Sequence, residues 1–294
     1  MTSNSNVTTN ATKSDEEIYM QLEDGYCIVK LNSPEALNRD SELLNHNIGE
    51  RDFKAEQGDS NVKFLSLRDK EGTAHATLQV NKDVVVEMRG KDHFLPSLEY
   101  AKRISPLLNN EKLKFNVEFA KFNYVVDLDG MVHELDNLPE GLTVFGNLDL
   151  ESSEIKSLPK NMKVSKSLSI SDTPVETLPE GLEVGGDLFA DGTRIKEIPS
   201  DLKVAGDMDF SGTYIRNIPD DFNAKGDLNI AYTGIKQLPK NLSVVGDLDI
   251  SSTKITSFPE CIKVEGEVCV YETDIKSFPE SIAWTTAEKM PSCF

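Results

Sequence analysis

Five side chains in the first hundred residues have the chemistry for proton transfer or for steadying negative charge: His46, Arg68, His75, Gln79 and His93. Imidazole titrates near neutral pH, and a guanidinium or amide beside it can hold a developing anion. A nucleophilic site also needs a Ser or Cys beside a base that a third group orients. No nucleophile elbow, phosphate-binding glycine loop or zinc spacing occurs to supply one. The four cysteines, Cys27, Cys261, Cys269 and Cys293, have neither metal-ligand spacing nor the density of a disulfide scaffold, which suits free thiols in a reducing cytoplasm. The histidine set therefore reads as structural, with His46 a turn residue before Gly49 and Arg68 paired to Glu87 or Asp83 on an adjacent strand. No catalytic residue, metal or cofactor is assigned. An enzyme with its active site in this half of the chain stands as the alternative.

A second set is acidic and periodic. Asn147, Ser167, Asp187, Asp207, Asp227, Asp247 and Glu267 recur at twenty-residue intervals, and two residues further on stand Asp149, Ser169, Phe189, Asp209, Asn229, Asp249 and Cys269. If the period is structural, these become two columns, a strip of carboxylates with one exposed aromatic. Asp187, Phe189, Asp207, Asp209, Asp227, Asp247 and Asp249 are then the residues expected to bind a basic protein surface. Stacked like charges repel unless cations, backbone donors or a partner offset them. The competing reading is that Asp after Gly caps a tight turn. A basic column, Lys156, Lys196, Arg216, Lys236 and Lys276, is interrupted by Glu176 and Thr256 and lacks interleaved aromatics, so it reads as a solvated face.

The element that must align these columns is a ladder of eight prolines, Pro139, Pro159, Pro179, Pro199, Pro219, Pro239, Pro259 and Pro279. Between them runs a consensus close to L-P-x-x-L-x-V-x-G-D-L-x-L-x-x-T-x-I-x-x. Proline and glycine at fixed places break any helix, while the alternation Val144, Gly146, Leu148, Leu150 has the period of two of a half-buried strand. Each unit is expected to be a short strand, a turn and an extended return leg. Stacking puts Leu148 over Leu168, Leu188, Met208, Leu228, Leu248 and Val268 in one core of parallel, in-register strands. Thr or Ser at 153, 173, 193, 213, 233, 253 and 273 is placed to bond nearby backbone. The pattern L-x-L-x-x-T-x-I-x-x-L-P resembles the leucine-rich repeat, with Thr or Ser where the usual pattern has Asn.

Upstream, Tyr26 to Leu31 reads as a strand, Pro34 to Asn45 as a helix, and Val62 to Arg68, Ala74 to Val80 and Val84 to Arg89 as a meander. Leu95 to Leu108 reads as a helix and Tyr124 to Leu135 as a hairpin turning on Asp129-Gly130. The expected organisation is a disordered tail over 1–15, an α+β domain over 16–135, a β-rich leucine-rich-repeat-like solenoid over 136–282, and a C-terminal cap over 283–294. Four short motifs in order, Asn45-His46-Asn47-Ile48-Gly49, Ser66-Leu67-Arg68-Asp69, Thr77-Leu78-Gln79-Val80 and Gly90-Lys91-Asp92-His93, resemble the core of the PcfJ-like proteins of conjugative plasmids and phages. Asn47 stands where that family has Cys, and Gln79 where it often has Glu. The resemblance implies a mobile-element origin and a host protein as the partner.

The charge excludes some classes. With 31 Lys and Arg against 50 Asp and Glu, the net charge is −19, which disfavours direct binding to nucleic acid or to an anionic membrane. Within residues 138 to 282 the balance is 14 basic to 25 acidic, so the acidity follows the repeats. The expected function is a cytoplasmic protein-binding module that takes a basic partner, with inhibition of a host defence or nucleic-acid-acting enzyme by charge mimicry as its narrower form. Self-assembly through the solenoid ends is a third reading.

Overall fold

Ser33 and Pro34 start the first helix by supplying a side-chain acceptor and a residue that lacks an amide hydrogen. In the computed structural model, which describes residues 14–48, 61–116, 124–277 and 283–285, Ser33 Oγ accepts the Ala36 N–H at 3.0 Å. The helix α1 runs Pro34–Leu44 and stops where Asn45 turns left-handed.

The chain divides into two units, Met1–Glu134 and Leu135–Phe294. The first holds a six-stranded sheet in sequence order: β1 Glu16–Gln21, β2 Cys27–Leu31, β3 Val62–Arg68, β4 Ala74–Asn81, β5 Val84–Arg89 and β6 Lys114–Phe115. All neighbours are antiparallel except β5 and β6. Alternation along the strands sends side chains to two faces. Ile28, Leu65, Leu67, Ala76 and Leu78 pack on the helix α2, Leu98–Asn110, through Ala101, Ile104 and Leu107. Cys27, Val29, Leu31 and Phe64 pack on α1 through Ala36 and Leu37. A hairpin of β7 Tyr124–Val126 and β8 Val132–Glu134 adds Tyr124 and Val126 to the α2 side. The sequence leaves β1 and β6 unforeseen, β6 because two residues carry no period. The tail expected over 1–15 lies outside the described residues up to position 13. Asp15 itself is held by Arg39, at 2.7 Å and 3.0 Å, and by the Ser33 hydroxyl.

The second unit is a parallel β-solenoid. Seven two- or three-residue strands, from Leu148–Asp149 to Glu267–Cys269, stack in register at twenty-residue intervals, and Ala283–Thr285 adds an eighth. The core forms as the period requires: Leu148, Leu168, Leu188, Met208, Leu228, Leu248 and Val268 are all buried. The one strand expected per coil proves to be two. A bend at Phe145-Gly146, with Gly146 at φ 83°, separates Thr143–Val144 from Leu148–Asp149, and the following coils bend at the same place. The first-leg strands form a four-stranded sheet through Lys203–Val204 and a three-stranded one from Asn223–Ala224 onward. The break coincides with Phe222 and Ala224 replacing the usual Leu and Val. Six of the seven turn hydroxyls bond as expected: Thr173, Thr193, Thr213, Thr233, Thr253 and Thr273 each donate to the carbonyl three residues back, at 2.6–2.9 Å, whereas Ser153 Oγ is buried with no partner among the described residues.

Candidate functional site

The N-terminal candidates separate into two groups. Below α1 the sheet face is polar where β3 and β4 turn Ser66, Arg68, Thr77 and Gln79 toward it, all buried. Arg68 donates to Asp40 of α1 and to the Ser66 hydroxyl, the latter at 2.8 Å, and Nη2 lies 3.6 Å from Glu16. The pairing expected with Glu87 or Asp83 is not formed. Glu87 lies 3.4 Å from Arg89, and Asp83 lies 3.0 Å from Lys114. Helix α1 covers the sheet and brings a fully buried carboxylate closer than either neighbouring strand could.

Asp40 also receives the Thr77 hydroxyl at 3.2 Å, and Thr77 Oγ1 lies 2.9 Å from His46 Nε2. Since the hydroxyl proton goes to Asp40, Nε2 carries the proton of the imidazole and donates to Thr77. That leaves His46 Nδ1 buried as an acceptor with no partner among the described residues. Burial pushes Asp40 up against the lowering effect of Arg68. His46, 6 % exposed, is held by burial down to about 4. Asp40, Thr77 and His46 thus form a chain of the acid–hydroxyl–base type whose three members are all buried, so it fixes α1 and the turn after it to the sheet.

The imidazole has a measurable consequence. Below its ordinary pKa of 6.5 the unfolded chain takes up a proton that folded His46 refuses until about pH 4. Stability is therefore full above that window and declines as pH falls through it, by about 2 kcal/mol at pH 5 and about 3 kcal/mol at pH 4. Urea unfolding at pH 7 and pH 5 reads the loss, and His46→Gln is expected to flatten this limb. An unchanged limb in that variant would refute the assignment.

His75 and His93 stand apart from this network. Asp69 Oδ1 accepts the Glu71 and Thr73 N–H groups while Oδ2 meets His75 Nε2 at 2.9 Å, and His75 stacks on Tyr100 at 4.3 Å. Asp127 repeats the device with Asp129, Met131 and His133, the last at 2.7 Å. Both segments read Asp-x-x-Gly-x-x-His, a spacing visible in the sequence, and both serve hairpin turns. His93 is exposed at the end of a single turn of 3-10 helix. Among the described residues no group of three or more His, Cys, Asp or Glu is arranged to hold a metal. Cys27 is buried and free and Cys261 exposed and free, whereas Cys269 is disulfide-bonded, which corrects the expectation of four free thiols.

On the solenoid the two acidic columns have different roles. In the first, each carboxylate reaches across to the next coil: Asp187 Oδ1 accepts the Asp207 N–H at 3.0 Å, Asp207 that of Asp227 at 2.8 Å, Asp227 that of Asp247 at 2.7 Å, and Asp247 that of Glu267 at 2.7 Å. Asn147 does the same for Ser167 at 3.1 Å. Backbone donors thus offset part of the repulsion. Burial and the flanking carboxylates of Asp207 and Asp247 push Asp227 up, while the Asp247 N–H holds it down.

The rungs also explain the glycine before each Asp. A Cβ on Gly206, Gly226, Gly246 or Gly266 would fall within 1.9–2.1 Å of the preceding coil's carboxylate oxygen. The turn-capping role expected of the first column belongs to the second, where Asp149, Asp209, Asn229 and Asp249 accept the N–H two residues on at 2.8–3.0 Å. Asp209 also takes the Asn229 amide at 3.1 Å, and Asp249 is buried, so the carboxylates of this column are partly sequestered. Phe189 is 40 % exposed.

The basic column is partly neutralised within the solenoid, by Lys196 on Glu176 at 2.7 Å. On the first leg Glu183 lies between Lys163 and Lys203. No ion pair is formed by Asp187, Asp207, Asp227 or Asp247 among the described residues. Sequence reasoning overlooked three exposed rings, Tyr214, Tyr232 and Tyr271, whose signal was a large aromatic at repeat positions otherwise held by small or polar residues. No helix among the described residues is long and apolar enough to cross a membrane. No family model matches the chain, and no curated protein matches it.

Proposed function

We propose that this protein is a nonenzymatic binding module whose acidic solenoid face takes the basic surface of another protein. The observation that carries the reading is the run of carboxylates from Asp187 to Asp247, one per coil and none paired with a Lys or Arg among the described residues. At about 4.8 Å per coil their spacing is of the same order as the 3.4 Å per phosphate along one strand of duplex DNA, which favours charge mimicry toward an enzyme that handles nucleic acid. The repeat's likeness to leucine-rich repeats supports a recognition role for the strand face. The likeness of the N-terminal motifs to PcfJ-like proteins supports a mobile-element origin, action in the host cytoplasm and a host protein as target. The Cys269 disulfide is the observation that runs against a reducing compartment, and thiol counting on protein taken from cells tests it.

Asp187, Asp207, Asp227 and Asp247 changed together to Asn make the decisive variant. The amide oxygen can keep every rung, as Asn147 already does, while the charge is removed. Affinity for a partner recovered stoichiometrically from host lysate is expected to fall roughly tenfold or more, and the parent's affinity to drop steeply with salt. Binding unaffected by the substitutions would sink the proposal.

A further inference from the structure

The strand ends and the turns that follow them form an edge with a feature the acidic strip does not require. Phe189, Tyr214 and Tyr232 lie on the third, fourth and fifth coils, with exposures of 40 %, 62 % and 65 %. None of the three rings stacks on another ring or meets a cation among the described residues. Tyr232 is also in the wrong backbone place for its size. Its φ is 57°, in the left-handed slot that Gly192 and Gly212 fill in the two preceding coils and Ser252 in the next. Ser152, Asp172 and Glu272 hold the slot in other coils, but a side chain there carries backbone strain that glycine avoids, and most of the Tyr232 ring stays exposed.

Beside Phe189 lies a cleft of about 390 Å³ lined by Asp149, Glu151, Ser169, Asp172, Phe189 and Asp191. Its lining combines an aromatic face with carboxylates on neighbouring coils. Arginine matches that combination best, because a planar guanidinium can stack on a ring while its edge hydrogen bonds to carboxylates. Coils three to five span about 10 Å, the reach of about three residues of extended chain.

We infer that this edge is the specificity-determining part of the binding face proposed above, and that it takes an extended, arginine-containing segment of the partner. One guanidinium enters the cleft against Phe189, and further arginines stack on Tyr214 and Tyr232. The inference rests on the acidic-face reading but goes beyond it by requiring arginine in place of any cation.

The test uses the full chain with octa-arginine and octa-lysine as probes of equal charge, titrated by fluorescence anisotropy at low and moderate salt. Octa-arginine is expected to bind about tenfold tighter. Phe189→Leu and Tyr232→Gly are each expected to remove much of that preference while lowering octa-lysine affinity far less than octa-arginine affinity. Tyr232→Gly should at the same time raise the Tm, which separates lost recognition from lost folding. Equal affinities for the two probes, or a preference that survives both substitutions, would overturn the inference and leave the charge reading standing. Absence of binding by either probe at low salt would overturn both.

Discussion

Replacing Arg68 by methionine is expected to cost the N-terminal unit about 3–5 kcal/mol, because it leaves the buried carboxylate of Asp40 without its cation. Burial already pushes Asp40 up, and Arg68 is the chief influence holding it down. Without the guanidinium Asp40 binds a proton on folding, so part of the loss should be recovered by lowering the pH or by adding Asp40→Asn. The double variant is therefore expected to be less destabilised than the sum of the two singles. Hydrogen exchange resolves the effect by region: protection should fall in β2, β3 and β4, which carry or adjoin the network, while the solenoid strands keep theirs. A methionine variant as stable as its parent would show that the pair is not holding α1 to the sheet.

Gly246→Ala is expected to destabilise the solenoid by about 3 kcal/mol. The new Cβ would lie 1.9 Å from Asp227 Oδ1, 2.7 Å from the Asp227 nitrogen and 2.8 Å from the Gly226 carbonyl carbon. Displacing the carboxylate alone relieves only the first contact, so Asp227→Ala in the same chain should restore part of the stability and no more. Thermal unfolding of the two variants distinguishes the cases. Full tolerance of the alanine would mean that the coils are free to slide apart by several tenths of an ångström, which would contradict the in-register stack. The second coil offers an internal comparison, since Lys166 replaces the glycine there and the acceptor across from it is Asn147.

Much of this fold could be read from spacing, because a solenoid converts separation along the chain into adjacency in space. The buried column from Leu148 to Val268 and the turn hydroxyls from Thr173 to Thr273 both follow from a fixed twenty-residue interval. What the interval did not reveal is why glycine and aspartate occur together. That reason is a contact between residues nineteen apart, as in Asp227 and Gly246, and it appears only when two coils are superposed. The alternation from Val144 to Leu150 suggested one strand because period alone does not register the bend at residues 145 and 146.

The N-terminal network was less legible for a different reason. His46 and Thr77 are 31 residues apart and Thr77 and Asp40 are 37 apart, with no repeat to relate them. Strand adjacency pointed Arg68 toward Glu87 or Asp83, whereas its partner lies on the helix layered over the sheet. Tyr232 could have been flagged from sequence, as a tyrosine where the two preceding coils have glycine. Its exposure and left-handed backbone required the structure.

The rungs have one more implication, for how such a chain changes length. Each rung joins a carboxylate on one coil to an amide on the next, and the glycine that makes room is carried by the same coil as that amide. Coils bearing the Gly-Asp pair are consequently interchangeable at their junctions. Recombination that adds or removes a whole twenty-residue unit leaves every remaining Gly-Asp junction chemically intact, so the number of coils, and with it the length of the carboxylate row, is free to drift while the joint itself stays fixed.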